Sequence, residues 1–224
     1  MTVGNPRLHL RATDSTNARA RELASAGAVH GTLVTTAEQS AGRGRQGRTW
    51  SAPAGQALLL SLVLREWPAL LPLAAAVAVA KTAGEAARVK WPNDILLGDR
   101  KVAGILVEAR PQEGWAIVGI GLNVAVDLDA LPAELRATAG TLDRSPADIE
   151  PTLRQLLTQL EHWLVRPEPD LLAAYRARDA LAGREVRWAD GEGRAVGIDD
   201  HWRLLFDTRA GRVALDAGEV HLRV

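Results

Sequence analysis

Apolar residues along this chain recur at two spacings, and the changes between them mark its elements. Residues 7–12 alternate and read as a short strand, after which "DSTN" (14–17) supplies a helix N-cap and "ARARELASAGA" a short helix stopped by Gly27. "GTLVTTAE" (31–38) is β-branched and predicts a strand leading into a glycine- and arginine-rich loop. "ALLLSLVLR" (57–65) is apolar on both faces, which predicts a central strand, and residues 69–87 read as an alanine-rich buried helix. "VKWPNDILLGDRKVAGILVEAR" (89–110) gives two strand-like runs joined at "GDR" as a hairpin, and "GWAIVGIGLNVAV" (114–126) gives another strand. From Pro132 to about Arg178 the spacing is helical, with "PTLRQLLTQLEHWL" amphipathic. After Gly183 five short alternating runs follow: "REVRWA", "RAVGID", "RLLFDT", "RVALD" and "EVHLRV". They predict a small β-barrel and a boundary near residue 180. The expectation is an α+β chain, with a mixed-sheet domain flanked by helices over 1–179 and the barrel over 180–224.

Composition narrows the partners. Lys+Arg and Asp+Glu both number 27, so no global field draws the chain to nucleic acid or an anionic membrane, and any basic site must be local. The absence of cysteine excludes disulfides, thiolate metal sites and a cysteine nucleophile. The N-terminus lacks the apolar run of a signal peptide, and "ALLPLAAAVAVA" is too short to span a bilayer, so a soluble cytoplasmic protein is expected. Basic residues are almost all arginine. The lysines are Lys81, Lys90 and Lys101, and asparagine is equally scarce, at Asn5, Asn17, Asn93 and Asn123. In such a chain each of these is a candidate for a place where a point charge or a paired donor and acceptor is wanted, with chance as the plainer alternative.

The rare residues fall close to the predicted loops. In "GRGRQGR" (42–48), Gly42, Gly44 and Gly47 permit left-handed backbone and an amide-lined anion concavity, while Arg43, Arg45 and Arg48 suit phosphate or carboxylate oxygens. No "GK[ST]" follows and the glycines do not open a helix, so this is neither a P-loop nor a dinucleotide fingerprint. A solvated turn is the plainer alternative. Trp50 suits a purine face or the core. "KWPND" with "RKVAG" places Lys101 where its ammonium can meet developing negative charge, with Gly104 allowing close ligand approach. Asn93 can read an adenine edge, and Asp94 can hold Mg²⁺ or poise an amine. Ser15 and Thr16 either cap the helix or bind ligand. In "GIGLN", Gly121 admits a flat ring and Asn123 can read its edge.

In this order, "DSTN", "EQSAGRGRQGRTW", "KWPNDILLGDRKVAGILVE", "GIGLNV" and a C-terminal "GEV" resemble the biotin protein ligases from about residue 8 onward. The resemblance implies a class II synthetase-like catalytic domain with an SH3-like barrel. It implies ATP with Mg²⁺ and biotin as substrates, no tightly bound prosthetic group, a biotin carboxyl carrier domain as acceptor, and a homodimer without DNA or membrane binding. It places Ser15, Thr16, Asn17 and Gln39 around the biotin rings. Gly42, Arg43, Gly44 and Arg45 belong to a loop over biotin and the adenylate, and Gly104 to the pocket floor. Lys101, Arg45, Arg48 and Asp94 form the catalytic set, and Trp50, Asn93 and Asn123 attend the nucleotide. Some relatives carry an N-terminal helix-turn-helix domain; here the first motif starts at Asp14, so operator binding is not expected. Trp202, in "GIDDHWRLLF", stands where such turns carry a smaller residue. Lipoate ligases or octanoyl transferases, a silent biotin binder, and a nucleic-acid binder using "GRGRQGR" are the rival readings.

Overall fold

The computed structural model describes residues 2–216, 218 and 220–222. The chain forms β1 (Arg7–Leu10), α1 (Thr16–Ser25), β2 (Leu33–Thr36), β3 (Ala57–Leu64), α2 (Leu71–Ala83), β4 (Ala87–Lys90), β5 (Asp94–Leu97), β6 (Arg100–Arg110) and β7 (Trp115–Asn123). It continues through α3 (Ala133–Arg136), α4 (Ile149–Trp163) and α5 (Glu168–Arg176) into β8 (Glu185–Trp188), β9 (Gly191–Ile198), β10 (Leu204–Thr208), β11 (Gly211–Leu215) and β12 (His221–Leu222). The first seven strands make one sheet in the order β1-β2-β3-β7-β6-β5-β4, parallel only between β1 and β2. The last five make a second sheet, β11-β10-β9-β8-β12, antiparallel throughout. Mixed sheet, flanking helices and a separate antiparallel sheet agree with the α+β reading. Glu219 of "GEV" lies outside the described residues.

Side-chain alternation gives the large sheet two unlike faces. On the back, Leu58, Leu60, Leu62 and Leu64 of β3 and Val118, Ile120 and Leu122 of β7 share one buried core with α2, whose alanines and valines are all buried, and with α4, which packs on both α2 and β3. Each such leucine contributes roughly 1.5–3 kcal/mol by leaving water. The front carries two small apolar clusters. One packs α1 on Val34, Val63 and Ile117, and the other gathers Ala57, Leu59, Val126 and Leu131. The strip between them is where the site forms.

Two predicted boundaries shift. The alanine helix ends at Ala83, not residue 87, because Gly84 takes φ +122° and the chain turns into β4. Arg178, almost fully buried, donates to the carbonyls of Gly84 (2.8 Å), Glu85 (3.3 Å) and Ala87 (3.0 Å), so a guanidinium satisfies carbonyls at this helix exit. The helical stretch predicted over 132–178 is interrupted: α3 is one turn, and residues 137–145 are not helical. There Thr138 and Gly140 pair with Lys101 instead, through Lys101 N to Thr138 O (2.7 Å) and Gly140 N to Lys101 O (2.8 Å).

The second sheet buries Val186, Ala195, Ile198, Leu204 and Phe206, with Trp188 stacked on Phe206 at 4.3 Å. It is fastened to the first through Trp202, which takes φ +67°. The Trp202 carbonyl accepts from Trp91 Nε1 (3.0 Å), and its indole meets the buried Tyr175 ring edge-on. Beside them Asp179 is raised above the usual carboxylate range by burial, and Leu181 N donates to its Oδ1 (2.8 Å).

Candidate active site

Glycines carve the site out of the sheet. Gly104 of β6 pairs with Gly121 of β7, and Gly119 lies two residues before Gly121 on the same face. With no side chains there, the front strip sinks to backbone level between the two clusters. The indole of Trp50 lies over the Gly104–Gly121 pair: a Cβ added to Gly104 would come within 2.9 Å of Trp50 Cζ3, and one added to Gly121 within 2.7 Å of Cζ2. Trp50 Nε1 is buried without a hydrogen-bond partner. The flat ring that Gly121 was expected to admit is, here, the protein's own.

At one end of the strip is a polar cluster. Thr16 N donates to Gln39 Oε1 (2.8 Å), Thr16 Oγ1 lies 3.1 Å from the same oxygen, and Asn17 packs over Gly119. Ser15 occupies the N-cap position, yet its side chain makes no capping bond, so plain capping does not account for it. Ser15, Thr16 and Asn17 are nevertheless all buried.

Charged groups close the other end. Lys101 Nζ meets Asp94 Oδ1 at 2.7 Å and stands 5.6 Å from the Trp50 ring centroid, within reach of a cation–π attraction. Arg45 Nη1 donates to Asn93 Oδ1 (3.3 Å), while Asn93 Nδ2 donates to Ile105 O (3.1 Å). Arg45, from the arginine loop, and Lys101, from the start of β6, therefore face one cavity of ≈ 650 Å³ that reaches back to Ser15, Thr16, Asn17 and Gln39 over the glycine floor. Arg43, Gly44, Arg48, Trp50, Asn93, Asp94 and Gly104 line it as well. A second cavity of ≈ 780 Å³ lies across the arginine loop, toward Pro72, Glu108, Trp202 and Asp216.

Three predicted residues are placed differently. Gly42 lines the second cavity and is not among the residues lining the first; it is needed because a Cβ would sit 2.5 Å from Trp50 O. Asn123 lines neither cavity. Its Nδ2 is spent on Gly140 O (2.8 Å), and its Oδ1 is buried unpartnered. Asn93 has its donor committed to Ile105, so in this state it orients Arg45. The loop backbone also differs from expectation. Only Gly47 of the three glycines takes positive φ (+74°), and Gln46 takes the other such position (+55°).

The Biotin/lipoate A/B protein ligase family matches residues 10–125, a span that holds the polar cluster, the arginine loop, the lysine hairpin and the glycine floor. The chain belongs to this family. It is 36% identical to the biotin–acetyl-CoA-carboxylase ligase of Mycobacterium tuberculosis, over 94% of this chain and 87% of that protein. With the ligase of the same name from Paracoccus denitrificans the identity is 37%, over 94% of this chain and 98% of that one. The structure of biotin protein ligase from Aquifex aeolicus in complex with biotin and ATP superposes with a TM-score of 0.80 at 26% identity, covering 98% and 99% of the two chains.

Sequence reasoning missed several residues of this cavity. Ser61 touches both Thr16 and Asn17, and its signal was available: it is the one polar residue inside the apolar run "ALLLSLVL". Arg184, His221 and Leu222 bring the second sheet to the cavity mouth, where Arg184 Nη1 pairs with Asp99 Oδ1 at 2.7 Å. Only tertiary structure reveals that approach.

Proposed function

We infer that this chain is a biotin protein ligase that joins biotin to ATP and passes the biotinyl group to a lysine of a biotin carboxyl carrier domain. The observation that carries the reading is the single cavity shared by Arg45, Lys101 and the Thr16–Gln39 cluster, in a chain whose relatives are named biotin–acetyl-CoA-carboxylase ligases. A biotin carboxylate oxygen attacks the α-phosphorus of ATP, and the bond to pyrophosphate breaks. The carrier amine then attacks the acyl carbon, forms the amide, loses a proton and releases AMP.

In this reading Lys101 and Arg45 offset charge on the pentavalent phosphorus, an effect worth roughly 3 kcal/mol per well-placed donor. Arg48 adds positive charge on the nucleotide side, and Asn93 keeps Arg45 in place. The urea of biotin meets Ser15, Thr16 and Gln39, with Asn17 behind them, while the thioether ring lies on the glycine floor. The Asn123 Oδ1, still without a partner, is available to an adenine amine once Trp50 yields. The loop from Gly42 to Arg48 covers the anhydride and keeps water from it. Among the described residues no group of three carboxylates or histidines gathers to hold a metal, so Mg²⁺ arriving with ATP would rely on Asp94, phosphates and water.

We also propose that residues 1–179 form a class II synthetase-like catalytic domain and 180–224 an SH3-like barrel. Residues 106–110 of β6 run past the last residue bonded to β5 and its turn, an edge that suits a second copy in a homodimer. A cytoplasmic setting, where ATP and carrier meet, completes the reading; no described helix is long and apolar enough to cross a membrane. The test is pyrophosphate release on adding biotin and ATP, with lipoate as control. Release with lipoate but not biotin would move the chain to the other branch of its family.

A further inference from the structure

Ser61 is completely buried in the middle of β3 and belongs to a chain of polar contacts that runs from the ligand cavity to the surface. In order, Gln39 meets Thr16, Thr16 Oγ1 lies 2.8 Å from Ser61 Oγ, Ser61 Oγ lies 2.6 Å from Asn17 Oδ1, and Asn17 Nδ2 donates to Glu108 Oε2 at 2.7 Å. Glu108 ends the series beside Arg21 (3.6 Å). We propose that Ser61 and Glu108 are positioning residues that fix which way round Thr16 and Gln39 offer donors and acceptors, so that the cavity selects an end group bearing N–H donors, such as a cyclic urea. The inference rests on the ligase reading above and deepens it.

Counting protons gives the direction. A carboxylate only accepts, so Glu108 holds the amide nitrogen of Asn17 and turns its carbonyl oxygen toward Ser61. The absent side chain at Gly119 leaves the room that this oxygen occupies. Ser61 has a single hydroxyl proton, and its shortest contact, at 2.6 Å, is with Asn17, so the proton goes there. The Ser61 oxygen then accepts the proton of Thr16 across 2.8 Å. The longer contact between Thr16 and Gln39, 3.1 Å, would be served by that same proton only if it left Ser61. What faces the ligand is therefore a pair of acceptors, Thr16 Oγ1 and Gln39 Oε1, the latter held in place by the Thr16 backbone N–H. Two neighbouring acceptors suit the two N–H groups of a urea. A dithiolane or a plain acyl tail has no donor to offer them, and a buried acceptor left unpaired weakens binding.

Removing Ser61 frees the Thr16 proton to turn toward Gln39, which consumes an acceptor. Replacing Glu108 by glutamine keeps an acceptor but adds a donor, so the series loses its fixed direction without losing a link. Calorimetry on the full chain should find biotin bound about tenfold more weakly by Ser61→Ala, the scale of one mis-set buried hydrogen bond, with ATP affinity unchanged within about twofold. Glu108→Gln should fall between, at about threefold. A biotin analogue methylated on a urea nitrogen should lose affinity in the wild type but little further in Ser61→Ala, because the acceptor it fails to satisfy is already spent. Equal weakening for biotin and ATP with a lowered Tm would reduce Ser61 to packing and overturn the proposal, as would an unchanged biotin affinity. Wild-type protein giving no heat with biotin would instead remove the ligase reading, and the inference with it.

Discussion

The two faces of the seven-stranded sheet are written on the same strands, one residue out of phase, and they solve opposite problems. On the back, Leu58, Leu60, Leu62 and Leu64 are buried in the main core with residues of α2 and α4. On the front, the intervening positions carry Ser61 in β3 and Gly119 and Gly121 in β7, and a cavity opens. Folding free energy is gathered on one side so that the other can hold buried hydroxyls, an unpartnered indole N–H and a backbone-lined floor, none of which a tight core would tolerate. Strand periodicity thus lets stability and chemistry vary separately.

That separation can be broken from either side. The largest effect on rate is expected from Lys101→Ala, which should slow biotin-dependent pyrophosphate release by about two orders of magnitude or more while leaving thermal unfolding in place. An unchanged rate would detach Lys101 from the chemistry. Leu62→Ala, next to Ser61 in β3 but on the back face and outside the cavity lining, should cost about 3 kcal/mol in a denaturant titration and leave biotin affinity of the folded fraction unchanged. If affinity fell with stability, the faces would be coupled. Gly121→Ala meets the Trp50 ring and not backbone, so it should fold, with biotin bound about tenfold more weakly as the ring is pushed into the cavity, since crowding of this kind costs roughly 1–3 kcal/mol. Calorimetry decides it.

The smallest effect should come from the junction with the second sheet. Burial raises the Asp179 carboxyl, so its proton is bound more tightly in the folded chain than in the unfolded one. Its favourable contribution is therefore full below the unfolded value of 3.8 and is lost as pH rises through the folded value. Asp179→Asn should accordingly raise Tm at pH 8, with the gain shrinking toward about pH 4. A gain independent of pH would point away from ionisation.

Much of this arrangement was legible in the residues. The five short runs after Gly183, the hairpin at "GDR" and the buried run "ALLLSLVL" each carry an unambiguous period, and "GRGRQGR" and "KWPND" advertise their chemistry by rare residue types. What escaped depends on tertiary pairing. The helical pattern extends only onto the first residue of β4, and the rest of that strand reads as one run with β5; its true start is set by Arg178, more than ninety residues away in the chain. Asn123 has the groups to read a base, yet whether it does so depends on what Gly140 asks of it. Trp50 against Gly104 and Gly121 follows from the register of β6 on β7, which no local spacing encodes.

Trp91 follows the lysine of "KWPND" and is buried among leucines and valines, but the hydrogen-bond acceptor of its indole among the described residues comes from Trp202, more than a hundred residues later. A nascent chain released after α5 would hold that indole N–H in an oily wall with nothing to receive it. The closing sheet thus acts as a keystone set last: until it docks, the turn between β4 and β5 lacks one of the bonds that hold it in place.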